Sequence, residues 1–295
     1  MQDDKKKILL FGGSGMVGSR FVELMQNRFD IIAPKREEVD VYNFSMLKKC
    51  IQAVHPDFIL YSVGLTRVDQ AEKEKKIAYR LNTYAAEHVA DLANSISIPL
   101  YYLSTDAVFD GTQKERPYKE SNLTHPVSVY GKSKAQGEKV VLRQSNKNCV
   151  IRLISVFSAV FPRKTDFIRM TIDALSNNRP FAGIQDQILN PLFVDYAAEA
   201  LSLLMKEHAS GIFHLGATNS FSNYEFAVAI ARIFSLDEQL IYPILHDDFF
   251  KGKAPRGKYC SLDVSKFENT FGGILHTIEE SLSDFKKLYT DSRHA

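Results

Sequence analysis

Short apolar segments alternate with longer amphipathic segments through the first half of the chain. The apolar segments are Lys7–Phe11, Asp30–Ala33, Phe58–Tyr61, Ile98–Leu103 and Cys149–Leu153. The amphipathic segments are Met16–Arg28, Phe44–Val54, Lys75–Ser95 and Tyr130–Ser145. Strands without polar alternation are typical of sheets buried on both faces, and helices of this length can connect parallel strands. The pattern therefore predicts βαβ units and a parallel sheet.

After Leu153 the alternation becomes irregular. A helix is predicted at Phe167–Leu175, a returning strand at Gly211–Leu215, and further helices at Asn223–Phe234 and Thr277–Tyr289. The predicted fold class is α/β, with a doubly wound, Rossmann-like parallel sheet and a smaller, interleaved C-terminal substrate domain. The first domain is expected to hold residues 1–160 and about 187–217, and the second about 161–186 and 218–295.

Composition argues against several other classes of protein. The 295 residues carry a net charge of +2, so no nucleic-acid partner is expected. No apolar run of about 18 residues is present, so no membrane segment is expected. The cysteines Cys50, Cys149 and Cys260 are widely spaced and form no CxxC, which favours a reducing compartment, the cytoplasm. The histidines form no HExxH and no cluster with cysteine, so no metal site is predicted.

A glycine-rich loop follows the first predicted strand. Gly12, Gly15 and Gly18 are spaced three residues apart and lead into the first predicted helix. Glycine permits a tight turn with close backbone approach, and a helix N-terminus attracts a pyrophosphate. A simple tight turn is the alternative, but the strand before the loop and the helix after it favour a dinucleotide site.

The end of the second predicted strand bears on the choice of nucleotide. An acidic residue there would bind the ribose 2′-hydroxyl of NAD, whereas a basic residue suits the 2′-phosphate of NADP. The strand ends in Ala33, Pro34, Lys35 and Arg36. NADPH is therefore the expected cofactor, with NADH possible because two glutamates follow at once. Exposed loop charges are the alternative interpretation of the two basic residues.

A hydroxyl-bearing strand end is followed by a tyrosine and a lysine. Ser104 and Thr105 come at the end of the fourth predicted strand, and Tyr130 and Lys134 open the helix after it. Residues four apart share a helix face, about 5–6 Å from each other. The Lys134 ammonium can lower the pKa of the phenol and hold the nicotinamide ribose, while Thr105 can bind a substrate carbonyl. A surface pair is the alternative, but the position after the fourth strand favours a reductase.

These motifs together resemble the extended short-chain dehydrogenase/reductases, and within them the dTDP-4-dehydrorhamnose reductase family. The segments that carry the resemblance are Gly12–Gly18, Val68–Glu72, Ser104–Gly111, Tyr130–Lys134, Gly211–Leu215 and Tyr224–Ala227. The resemblance implies that NADPH reduces a 4-keto nucleotide-sugar. It also leaves a homodimer possible.

The resemblance assigns roles to individual positions. The implied catalytic residues are Thr105, Tyr130 and Lys134. The expected cofactor-binding residues are Gly12, Ser14, Gly15, Met16, Val17, Arg36, Asp40, Val41, Val63, Gly64, Thr66, Ser104, Tyr130 and Lys134. The expected substrate-binding residues are Val68, Asp106, Ala107, Val108, Phe109, Ser155 and Arg256, the last as a partner of the substrate diphosphate.

The sequence departs from the family pattern where the sugar is expected. Ala107 stands where the family usually has Tyr, and Ser155 where it usually has Trp; the chain contains no Trp. Because aromatic side chains bury about 150–250 Å² each, we expect a roomier pocket unless Phe109 and Phe157 fill it. This predicts poor activity on dTDP-4-dehydrorhamnose, preference for a bulkier or differently substituted sugar, and rescue by Ala107→Tyr with Ser155→Trp.

Two alternatives remain at this stage. The β subunit of methionine adenosyltransferase resembles the same family but serves a partner enzyme as a cofactor-binding regulatory subunit. The retained Thr105, Tyr130 and Lys134 argue against that role, because a pure binding protein needs no proton donor. A nucleotide-sugar epimerase or dehydratase on the same scaffold would retain tightly bound cofactor on purification.

Overall fold

The computed structural model describes residues 5–161 and 166–294. Its strands are β1 Lys7–Phe11, β2 Asp30–Ile32, β3 Phe58–Tyr61, β4 Leu100–Thr105, β5 Cys149–Leu153, β6 Phe181–Ile184, β7 Ile188–Leu189, β8 Gly211–Leu215, β9 Phe221–Ser222 and β10 Ile241–Ile244. Its α-helices are α1 Met16–Met25, α2 Phe44–Val54, α3 Val68–Lys73, α4 Lys75–Tyr79, α5 Ala85–Ser95, α6 Val129–Gln144, α7 Phe167–Ser176, α8 Val194–Lys206, α9 Asn223–Phe234, α10 His246–Phe249, α11 Ser265–Phe271 and α12 Ile278–His294. A π-helical turn, Arg80–Tyr84, joins α4 to α5, and 3₁₀ turns cover Asp106–Val108 and Glu238–Leu240.

The central sheet is parallel and has the order β2-β1-β3-β4-β5-β8. Strand β1 pairs with β2 on one side and with β3 on the other, so that Ile8 lies between Ile31 and Phe58. The direction of winding therefore reverses between β1 and β3. Open α/β sheets bind ligands in the crevice at such a switch point, outside the carboxyl ends of the strands.

Alternate residues of the strands pack into two different cores. Ile8 and Leu10 belong to the cluster that contains residues of α1, α8 and α11, whereas Leu9 and Phe11 belong to the cluster with α2 and α5. Burial of each such side chain stabilises the fold by about 1.5–3 kcal/mol. Both faces need apolar residues, which explains why these strands show no polar alternation. The predicted doubly wound α/β fold is confirmed.

A third cluster lies beside the sheet. It joins α7, α9 and α12 around Phe157, Phe226 and Phe285. Near it, β6 pairs in parallel with β10, and β7 pairs with β9 in the antiparallel sense. The proposed division into two domains stays a prediction, and its boundary adjoins residues 162–165, which lie outside the described residues.

Residues 5–161 and 166–294 contain neither a membrane-spanning helix nor a group of side chains that could bind a metal ion. No helix there is long and apolar enough to cross a membrane. No group of three or more His, Cys, Asp or Glu side chains in the same residues could hold a metal ion. The three cysteines are free, with Cys149 and Cys260 buried.

Candidate active site

The glycine loop forms a tight cradle at the switch point. Gly12 has a φ of +93°, and a Cβ there would lie 2.8 Å from the carbonyl carbon of Ser62. A Cβ on Gly18 would lie 2.3 Å from the Gly12 oxygen, so glycine is needed for α1 to pack on the loop. Gly15 precedes α1 without a side-chain cap, and the first turn carries no acid. The amides of Met16 and Val17, in the first turn of α1, can therefore donate hydrogen bonds to a pyrophosphate.

A cavity for the adenosine half of a dinucleotide adjoins this loop. The predicted cofactor residues that line it are Gly12, Ser14, Gly15, Arg36, Asp40, Val41, Val63 and Gly64. Asp40 accepts a hydrogen bond from the amide of Tyr42, which fixes the turn beside the cavity. Among the residues that the structure describes, none forms an ion pair with Arg36, so its charge is open to a phosphate. The shape and the donors fit a dinucleotide with a 2′-phosphate.

A second cavity continues from the glycine loop to the end of β4. Met16, Val17, Thr66, Ser104, Thr105, Tyr130 and Lys134 line it, together with Val63 and Gly64 of the first cavity. A Cβ on Gly64 would lie 2.8 Å from Asn82 Oδ1 and 3.2 Å from Lys134 Nζ. The loop after β3 therefore lies directly on the lysine predicted to hold the nicotinamide ribose.

The predicted catalytic trio is assembled from β4 and α6. Ser128 caps α6 by accepting from the Gly131 amide, and Tyr130 and Lys134 follow on one face. A Cβ on Gly131 would lie 2.0 Å from the Ala107 oxygen, so glycine lets α6 approach the turn after β4. Thr105, Tyr130 and Lys134 line the same cavity as a result.

Burial changes the pKa values of both titrating members of the trio. It raises the pKa of Tyr130 above its ordinary value, although the neighbouring Thr105 hydroxyl acts in the opposite direction. It lowers the pKa of the Lys134 amine to about 7, against the charge of Glu138, which raises it. The sequence predicted a lowered tyrosine pKa; in the free protein, desolvation outweighs the stabilisation of the phenolate by its neighbours.

Lys134 is held in place from two sides. Its Nζ donates to the Leu103 carbonyl at 2.9 Å and lies 4.6 Å from the centre of the Tyr102 ring. One helical turn further, Glu138 accepts from Ser104 Oγ at 2.5 Å and pairs with Arg152 at 2.7 Å. The Glu138–Arg152 pair is almost fully buried and ties α6 to β5 behind the catalytic residues.

A third cavity, of about 400 Å³, opens from the catalytic residues toward the loop of residues 250–264 between α10 and α11, which is called the C-terminal loop. The predicted substrate residues that line it are Val68, Asp106, Ala107, Phe109, Ser155 and Arg256. Thr105, Tyr130 and Ser155 also line the second cavity, so the three cavities are contiguous. Ser155 has a φ of +41°, a conformation that is uncommon for residues with a side chain.

Two of the predicted substrate-binding residues, Val108 and Arg256, contact other parts of the protein. Val108 is fully buried with Phe109 and Leu262 and lines neither of the last two cavities, and its place among the substrate-binding residues stays a prediction. It follows a strand end and lies in a 3₁₀ turn that directs it into this cluster. Arg256 forms an ion pair with Asp69 at 2.6 Å, so a substrate diphosphate would have to exchange with that carboxylate.

Sequence reasoning missed several residues of the site. Asn82 is buried in the π-helical turn, accepts from the Leu65 amide and donates to Ser133 Oγ. It thereby links the loop after β3 to α6. Phe167, Phe226 and Phe250 supply aromatic walls to the third cavity from distant parts of the chain. A signal for Glu138 was present, since it continues the Tyr130–Lys134 face by one more turn.

Comparison with known proteins gives consistent results. A family model described as the RmlD substrate binding domain matches residues 6–290. The dTDP-4-dehydrorhamnose reductase of Aggregatibacter actinomycetemcomitans is 31% identical over 280 residues, which cover 90% of this chain and 93% of that protein. The methionine adenosyltransferase 2 subunit beta of Xenopus laevis is 28% identical over 286 residues, which cover 91% of this chain and 84% of that protein. The crystal structure of dTDP-4-dehydrorhamnose reductase from Bacillus anthracis in complex with NADP has a TM-score of 0.89 at 26% identity, and covers 97% of this chain and 99% of that chain.

The fold and the site define a class of protein. A doubly wound sheet, a glycine loop at its switch point, and a Thr-Tyr-Lys group formed by the end of β4 and the start of α6 are the features of an extended short-chain dehydrogenase/reductase. Within that class, the chain belongs to the RmlD substrate-binding domain family. The resemblance seen in the motifs is confirmed over nearly the whole chain.

Proposed function

We propose that this protein is an NADPH-dependent reductase of a 4-keto nucleotide-sugar. The observation that carries the proposal is the burial of Thr105, Tyr130 and Lys134 together where the cofactor cavity meets the third cavity. A pure binding protein would have no use for a proton donor at that junction. Family membership supports the same chemistry, since a relative that is 31% identical over 280 residues is a dTDP-4-dehydrorhamnose reductase.

The reaction divides between the cofactor and the chain. When bound, NADPH supplies the hydride that reduces the carbonyl carbon. Tyr130 donates its proton to the carbonyl oxygen, so that the ketone becomes an alcohol and charge is balanced. The raised pKa keeps Tyr130 protonated at neutral pH, as a general acid requires. Lys134, buried beside the loop after β3, would hold the nicotinamide ribose.

The cofactor choice rests on Arg36. This exposed residue lines the adenosine cavity, and the related Bacillus anthracis structure contains NADP.

We infer that residues 1–160 and about 187–217 bind the cofactor, and that about 161–186 and 218–295 bind the sugar nucleotide. A reducing compartment, the cytoplasm, suits the free cysteines. A homodimer stays a prediction.

The direct test of this function is a screen of 4-keto nucleotide-sugars with NADPH oxidation as the readout. Wild type is expected to turn over at least one of them. Tyr130→Phe should lower kcat by at least about 10²-fold while NADPH affinity is nearly unchanged. Tyr84→Phe, which removes the same hydroxyl from an exposed tyrosine, should keep wild-type turnover. Near-normal turnover by Tyr130→Phe would refute the assignment.

A second candidate function has its own support. The 28% identity to the Xenopus laevis methionine adenosyltransferase 2 subunit beta extends over 91% of this chain. A regulatory subunit would bind a synthetase stoichiometrically and oxidise no NADPH with any keto-sugar. Tightly held cofactor without net NADPH consumption would instead favour an epimerase or dehydratase.

A further inference from the structure

The Thr105 hydroxyl has a single hydrogen to donate, and a neighbouring carboxyl group accepts it. Its Oγ1 donates to Asp106 Oδ1 at 3.0 Å and accepts from the Ala107 amide at 3.2 Å. Thr105 and Tyr130 line the same two cavities. Because its one hydrogen is directed to Asp106, Thr105 has no hydrogen left to donate to a group in the cavity.

This arrangement conflicts with the proposed reaction while Asp106 is ionised. A substrate carbonyl between Thr105 and Tyr130 needs both hydroxyls as donors. A carboxylate is a stronger acceptor than a neutral carbonyl, so ionised Asp106 retains the Thr105 hydrogen. A neutral carboxyl can instead donate its own hydrogen to Thr105 Oγ1, which frees the Thr105 hydrogen for the substrate.

We propose that Asp106 is a proton-linked positioning residue, which must be neutral for Thr105 and Tyr130 to donate together to the substrate carbonyl. The inference rests on the proposed function and goes beyond contact between Asp106 and the sugar. Asp106 takes part in no covalent step of the reaction. Its carboxyl group only gains or loses its own proton in equilibrium with the solvent. The proton delivered to the product still comes from Tyr130.

The surroundings of Asp106 favour its neutral form. Burial raises the pKa of this carboxyl to about 6, against the hydrogen bond that it accepts from Thr105. From other elements, Tyr130 of α6 and Cys260 of the C-terminal loop are close enough to interact with its charge. Asp166 and Arg256 line the same cavity, and Asp110 lies further along the same loop. A nucleotide-sugar in the cavity would remove more water from the carboxyl and raise its pKa again.

The expected effect has a definite sign and size. Below the Asp106 pKa both hydroxyls donate to the carbonyl; above it, only Tyr130 does. Loss of one donor to a developing oxyanion costs about 10²-fold in kcat. In wild type, kcat should therefore fall by up to about 10²-fold as pH rises through the Asp106 pKa, with little change in KM.

The test compares pH profiles of kcat in wild type, Asp106→Asn and Asp106→Ala. Asn can donate to Thr105 at every pH, and Ala cannot accept its hydrogen, so both variants should retain at high pH the kcat that wild type shows only at low pH. Any remaining pH dependence then belongs to Lys134 and Tyr130. Asp110→Asn is the matched control, since Asp110 accepts from Thr112 and Tyr118, and it should keep the wild-type profile.

A second measurement does not depend on turnover. In ¹³C NMR of protein labelled at aspartate, the signal lost in Asp106→Asn should titrate near pH 6 rather than near the ordinary value of about 3.9. Titration at the ordinary value, or a wild-type pH profile in Asp106→Asn and Asp106→Ala, would overturn the inference. If the carboxyl titrates near pH 6 but no 4-keto nucleotide-sugar is reduced at any pH, the proposed function fails and the inference falls with it.

Discussion

At the scale of single residues, Arg36 determines the expected cofactor preference. Its charge lines the adenosine cavity, where a 2′-phosphate would add a charge-assisted contact. Arg36→Ala should weaken NADPH binding by roughly ten- to a hundredfold, equivalent to about 1.5–3 kcal/mol, and change NADH binding little. Fluorescence titration of both cofactors measures this, with Arg116→Ala as an exposed control. Equal affinity of wild type for NADH and NADPH would contradict the assignment.

The sugar pocket gives a second prediction at this scale. Ala107 and Ser155 line the third cavity, while Phe109 and Phe157 are held in stacks with other aromatic rings. Wild type should reduce dTDP-4-dehydrorhamnose poorly, and Ala107→Tyr with Ser155→Trp should raise kcat/KM for it. Ala107→Tyr alone is the cleaner variant, because the φ of Ser155 is +41° and a Trp there would be strained. A wild-type kcat/KM of about 10⁴ M⁻¹s⁻¹ or more on that sugar would show that the pocket suits it already.

At the scale of elements, the buried pair between α6 and β5 is the expected source of local rigidity. Glu138 accepts from Arg152 Nε at 2.9 Å and from Ser104 Oγ at 2.5 Å. Glu138→Gln leaves the Arg152 charge buried without its counter-charge, which should lower the free energy of unfolding by about 3–5 kcal/mol. The control is Glu87→Gln, because Glu87 pairs with the exposed Arg143 and should cost at most about 1 kcal/mol. Denaturant unfolding that finds equal losses would contradict the role given to the buried pair.

The lengths and contacts of the individual elements explain which strands and which site residues could be predicted from the sequence. Strands β1, β3, β5 and β8 have the predicted bounds, because a strand buried on both faces is an apolar run that ends at polar or turn residues. Strands β7 and β9 have two residues each, too few to show any period, so only tertiary contacts decide their pairing. Tyr130 and Lys134 were found because one helix spacing relates them. Asn82 was missed because it contacts Ser133, which is 51 residues further along the chain.

At the scale of the whole molecule, the buried His214 is expected to make the free energy of unfolding depend on pH. This buried side chain contacts Arg152 through Nε2 at 3.2 Å and the Tyr118 carbonyl through Nδ1 at 3.1 Å, a pattern that suits the neutral ring. Burial and the Arg152 charge lower its pKa to about 3. The unfolded chain therefore binds more protons between about pH 6.5 and pH 3, so this contribution to stability is lost as pH falls through that window.

Denaturant unfolding at several pH values measures this effect. His214→Gln should show a shallower decline of the unfolding free energy between pH 6.5 and pH 4 than wild type shows. His125→Gln, which changes an exposed histidine, should follow the wild-type slope. Identical slopes in wild type and His214→Gln would mean that another group dominates acid unfolding.

The central claim is that this chain transfers hydride from NADPH to the carbonyl carbon of a 4-keto nucleotide-sugar. The most direct measurement uses NADPH deuterated at both C4 positions of the nicotinamide, with product analysis by NMR and mass spectrometry. We expect one deuterium on the former carbonyl carbon, one NADPH consumed per product, and a rate at least about 10²-fold lower in Tyr130→Phe. A product without deuterium at that carbon, or no product from any 4-keto nucleotide-sugar, would contradict it.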